Sequence, residues 1–95
     1  MKIIKKERAN MNTRQTRRLV RDYAEARGVA VRNASWTNKC RDEHKRNLGF
    51  ECLFGTAFTE SDCAWLRWMT GCRCVRTSTS ERGMNYIRLL GVEFN

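Results

Sequence analysis

TESDCAWLRWMTG, residues 59–71, reads as a helix with both ends marked. Thr59 stands three residues before Asp62, the spacing of a capping box with Asp in place of the usual Glu or Gln. Glu60 adds a second acid where the helix dipole favours one. Gly71 supplies a left-handed stop. Between these ends lie Cys63, Ala64, Trp65, Leu66, Trp68 and Met69, broken only by Arg67. A helix that is apolar nearly all round calls for burial on several sides, and two of the three tryptophans are in it. The reading is of a central core helix against which the rest of the chain packs.

On either side of it the pattern turns to strands. Phe50, Cys52 and Phe54 alternate with Glu51 and Leu53, and Gly55 marks a bulge or turn before Ala57 and Phe58. After Gly71, Cys72–Thr77 alternates, Ser78–Gly83 is a polar turn, and Met84–Leu90 is a second strand. Gly91 interrupts the run before Val92, Glu93 and Phe94, and this apolar ending ties the C-terminal stretch into a sheet. Upstream, Asn12 or Thr13 caps a helix that Gly28 ends. Thr16, Leu19, Val20, Tyr23, Ala24 and Arg27 form its inner face, and Arg14, Arg17, Arg18, Arg21 and Glu25 fall outside. VAV at 29–31 suits a short buried strand, and a cap at Asn33 or Ser35 starts a third helix over Ser35–Asn47. The expected fold is therefore α+β, with two to three helices packed on a small, mainly antiparallel sheet that carries a C-terminal hairpin. Residues 1–11 form a basic flexible arm and 12–95 one domain.

Charge is the strongest functional signal. The net charge is +9. Residues 1–27 hold nine Lys/Arg against three acids, residues 28–50 five against two, and residues 51–95 five against five. Such asymmetry implies a polyanionic partner: nucleic acid, an acidic protein face or an anionic membrane surface. No run approaches the ~20 apolar residues of a membrane span, and the first ten residues are too weakly apolar for a signal peptide, so a cytoplasmic protein is expected. Five cysteines cannot all pair within one chain, which favours free thiols.

The stretch YAEARGVAVRNASWTNKCRDE, residues 23–43, carries a further pattern. Ala24, Gly28, Val29 and Ala34 have the small-residue, turn-glycine and apolar spacing of a helix-turn-helix, and the segment resembles DNA-binding domains of that type. It departs from them near Thr37, where an apolar residue is expected. The resemblance implies that Arg32, Asn33, Ser35, Thr37, Asn38 and Lys39 face the major groove.

Other chemistry is thinner. Cys40-x3-His44 and Cys72-x-Cys74 supply four sulfur and nitrogen donors that zinc accepts, without the usual C-x2-C knuckles; the alternative is buried or idle thiols. A Cys40–His44 nucleophile pair has no third member, and the glycines are too scattered for a phosphate loop, so catalysis is not expected and no cofactor or catalytic residue is assigned. The function expected is nucleic-acid binding, DNA or RNA, by phosphate contacts from Arg14, Arg17, Arg18 and Arg21, aided by Arg32 and Lys39, with Trp36 either stacking on a base or filling the core. The alternative is an accessory protein of the kind bacteriophages encode, which would inhibit a host nucleic-acid enzyme by covering an acidic surface. A small structural zinc module is the third reading.

Overall fold

The structure is a computed structural model that describes residues 10–34, 38–39 and 44–93. In chain order these form helix α1 (Thr13–Arg27), strands β1 (Ala30–Asn33), β2 (Asn38–Lys39) and β3 (Lys45–Leu53), helix α2 (Glu60–Thr70), and strands β4 (Cys74–Thr79) and β5 (Asn85–Glu93). The sheet runs β1-β3-β5-β4, every pairing antiparallel, with β2 continuing beside β3 on the β1 side. The architecture is α+β, two helices on one antiparallel sheet with a β4–β5 hairpin at its C-terminal end. Its strand order and connectivity are those of a β-α-β-β-α-β sandwich whose first strand has moved to the C-terminal end.

Both helix starts follow from their residues. The Asn12 side chain accepts the Gln15 N–H at 2.9 Å, and Gln15 returns the bond to the Asn12 N–H at 3.1 Å. Thr59 and Asp62 do the same for α2. Gly28 and Gly71 both end their helices at φ 75°. Beyond Gly28 the Val29 N–H reaches back to the Ala24 carbonyl at 2.8 Å, closing a Schellman motif. The Met11 N–H bonds the Thr70 carbonyl, and Asn12 bridges to Glu93, so the lead-in to α1 lies across the ends of α2 and β5.

The core lies between the sheet and the two helices. Leu48, Phe50 and Cys52 of β3 and Ile87, Leu89 and Val92 of β5 meet Val20 and Ala24 of α1 and Leu66 of α2. Leu89 and Val92 are three residues apart, an odd spacing that would send them to opposite faces of a regular strand. A bulge resolves this. Arg46 pairs with Val92 but Leu48 with Leu89, and Gly91 takes φ 76° to absorb the extra residue. The Asn47 side chain accepts the freed Gly91 N–H at 3.1 Å.

Three expectations are corrected. The helix over 35–47 is not formed: Asn38–Lys39 pairs with Asn47 and Arg46, and Lys45–Leu53 is one strand. Gly49 hid this, because a glycine after Leu48 reads as a helix stop, although it leaves the alternation of Leu48, Phe50 and Cys52 intact. With it goes the helix-turn-helix, since the chain leaves Gly28 directly into β1, paired to Leu53 at Ala30. The third concerns α2, which is not the all-round buried centre. It buries Asp62, Leu66 and Thr70, while Trp68 is 52% exposed. The centre of the fold is the β3–β5 pair. Residues 1–9, and with them most of the basic arm, lie outside the described residues, as do Ser35, Trp36, Thr37 and Cys40.

Candidate functional site

The first helix has no acidic residue in its first turn and places Arg14 there instead, against the preference of the helix dipole. Arg14, Arg17, Arg18 and Arg21 follow at i, i+3, i+4 and i+7, a stripe covering about 100° of the helix surface. Like charges at these spacings repel, each pair costing roughly 0.2–0.5 kcal/mol. Thr16, Val20 and Ala24 hold one side of α1 in the core, which leaves Arg14, Arg18 and Arg21 exposed and Arg17 half-buried at the stripe's edge.

The stripe forms one wall of an open groove of ≈ 720 Å³ lined by Thr13, Arg14, Arg17, Arg18, Arg21, Asp22 and Asn33. Asn33, the last residue of β1, accepts from Arg21 Nη2 at 3.0 Å and so fixes the far end of the array. Asp22 is the one acid in the lining, and among the described residues none of the four arginines forms an ion pair. From Arg14 to Arg21 the array spans about 10 Å along the helix, or three phosphate steps of a duplex strand.

Two other predicted contacts stand elsewhere. Arg32 is directed to the outer face of the sheet, opposite Glu51, with which it pairs at 2.7 Å. Its charge is already matched, and it does not line the groove. Lys39 occupies β2 at the register position of Arg46. Asn33 is the groove residue whose role went unread: taken as a helix cap or a base contact, it is a strand-end partner of Arg21. The signal available was the short VAV run after Gly28, which places residue 33 beside α1 once it is read as a strand antiparallel to Phe50–Leu53.

A buried carboxylate links α2 to α1. Asp62 is 2% exposed, accepts from the Thr59 N–H at 2.9 Å and the Tyr23 hydroxyl at 2.6 Å, and forms an ion pair with Arg27 Nε at 3.1 Å. Burial pushes its carboxyl up, but the Thr59 N–H, the Tyr23 and Thr59 hydroxyls and Arg27 together hold it below the usual value. The hydrogen bond to Asp62, then burial, raises the Tyr23 phenol. Tyr23 also stacks on Trp65 at 4.3 Å between ring centres. One side chain therefore caps α2 and grips two residues of α1.

The thiols behave as small apolar groups. Burial raises the pKa of Cys52, Cys63 and Cys72, which keeps them protonated at neutral pH. Cys72 precedes β4, accepts from the Thr70 hydroxyl at 3.2 Å and faces the Cys74 carbonyl at 3.6 Å. His44 is exposed, and among the described residues no three His, Cys, Asp or Glu side chains gather in a metal-binding group. Nor is any described helix long and apolar enough to cross a membrane. Comparison of the chain with protein-family profiles, with curated proteins and with solved structures finds no match.

Proposed function

We propose that the chain binds nucleic acid by seating successive phosphates in the α1 groove. The observation that carries this reading is the array itself: four arginines at mutually repelling positions along one groove, with Asp22 the one acid in its lining and Glu25 at the far end of the same helix face. A solvated face needs no such concentration, and a phosphate chain relieves the repulsion that the folded protein leaves standing. Each guanidinium can bridge two phosphate oxygens. The contacts go to the backbone, so affinity is high at low salt and varies little with base sequence.

The test is charge reversal on the groove alone. Arg14→Glu, Arg17→Glu, Arg18→Glu and Arg21→Glu, combined, are expected to abolish binding of a labelled oligonucleotide followed by fluorescence anisotropy, with the circular dichroism spectrum unchanged. Arg14, Arg18 and Arg21 are exposed and Arg17 is half-buried at the edge of the stripe, so the unchanged spectrum is the check that the fold survives their replacement. Undiminished binding by the variant would sink the proposal. Absence of binding by the wild-type protein to DNA and RNA alike would turn the groove over to an acidic protein surface.

A further inference from the structure

Phe54 is the most exposed large apolar side chain among the described residues, at 89%, and the one non-glycine residue there with positive φ, at 56°. It follows Leu53 at the end of β3 and shares its left-handed conformation with Gly55 at φ 72°. The two form the corner of a tight turn closed by the Thr56 N–H on the Leu53 carbonyl at 3.0 Å. Two such residues in a row make a type I′ turn, which favours Asn, Asp or Gly at Phe54's position. The folded chain thus carries a disfavoured backbone conformation and an aromatic ring in water, and nothing within the described fold compensates either.

The turn beneath the ring is firmly held. The Thr56 hydroxyl donates to the Leu53 carbonyl at 2.6 Å and accepts the Ala30 N–H at 3.2 Å. From the other side Asn85 Nδ2 donates to the Thr56 carbonyl at 3.0 Å. These bonds tie the turn to β1 and β5 at once. A ring on a pedestal already ordered loses little freedom when it is covered, the condition for a preorganised contact.

Position supplies the occupant. Leu53 pairs with Ala30, the first residue of β1, and Asn33, its last, closes the arginine groove. Asn33 is paired to Phe50, so Phe54 stands four residues further along, just past the end of β3 and about 13 Å beyond the Asn33 end of the phosphate seat. We propose that Phe54 is a base-stacking platform, and that the nucleic acid bound in the groove is single-stranded where it passes this turn. Bases stack on an exposed aromatic only when they are free of a duplex, and stacking tolerates any base. The inference rests on the phosphate-binding reading of the groove and adds the strand state to it.

Its test uses the whole chain and two probes, a labelled oligothymidine of about 15 nucleotides and the same strand annealed to its complement, at about 50 mM salt. Phe54→Asn suits the left-handed corner and is expected to raise the Tm, so lost affinity cannot be put down to unfolding. Both Phe54→Asn and Phe54→Ala are expected to weaken single-strand binding about 5- to 100-fold, while Phe54→Tyr keeps it. Duplex affinity and the salt dependence, which report the arginines, stay as in the wild type. Unchanged single-strand affinity in Phe54→Asn overturns the stacking role alone, as does an equal loss on both probes. A wild-type protein that binds neither probe overturns the groove reading and this one with it.

Discussion

Thr16 shows how a single buried atom can run against the rest of a core. Its side chain is fully buried on the inner face of α1, yet Oγ1 has no hydrogen-bond partner among the described residues. A hydroxyl removed from water without compensation costs about 1–3 kcal/mol. Valine has the same shape without that cost, so Thr16→Val is expected to stabilise the domain by about 1 kcal/mol, read as a higher midpoint in urea. A lower midpoint would mean that the hydroxyl finds a partner. Phe54 is the other residue that departs from local preference, and it does so at the surface. Its reading illustrates a limit of pattern. The FECLF alternation carries Phe54 into the strand, and only the following Gly55 hints that the chain turns one residue earlier.

Among the elements, the joint between α1 and α2 rests on Asp62, held by Tyr23 and Arg27. Asp62→Asn keeps an oxygen for the Thr59 N–H but removes the charge that holds Arg27 and Tyr23, and is expected to cost about 2–3 kcal/mol at neutral pH. The pH dependence has a definite sign. The folded Asp62 carboxyl titrates below its unfolded value, so its contribution is present above about pH 4 and fades as the pH falls through the folded pKa. Tyr23 is shifted the other way, so its share persists to about pH 10 and fades above. Urea midpoints of the wild type and Asp62→Asn should thus converge in acid and stand apart near pH 7; a constant gap down to pH 2 would contradict this. Both helices were legible because their caps are local: Asn12, Gln15 and Gly28 for one, Thr59, Asp62 and Gly71 for the other. The paired edge of β3 was not, because its partners at residues 30–33 and 38–39 are chosen by long-range register. The apolar richness of α2 misled for a related reason. Trp65 is half-buried through its stack on Tyr23, and Trp68 stays largely exposed, so one buried side was enough to hold the helix.

At the scale of the molecule, charge and fold divide the chain. The C-terminal half, neutral overall, supplies most of the core through Cys52, Phe58, Leu66, Cys72 and the β5 residues Ile87, Leu89 and Val92, while the N-terminal helix lays its inner face on that core and carries the charge outward. This separation was visible in the sequence, and so were the four arginines of α1, because helical spacing alone brings them together. Arg32 could not be excluded from the site without knowing that Glu51 lies across from it. The division also makes the central claim measurable without disturbing the fold. Binding of a labelled oligonucleotide would be titrated by anisotropy from about 50 to 200 mM salt, for the wild type and for the variant with Arg14, Arg17, Arg18 and Arg21 replaced by alanine. If each arginine neutralises one phosphate, the slope of log affinity against log salt is shallower in the variant by about 3, the counterions of four phosphate contacts. Equal slopes in the two proteins would show that the phosphates are held somewhere other than the groove.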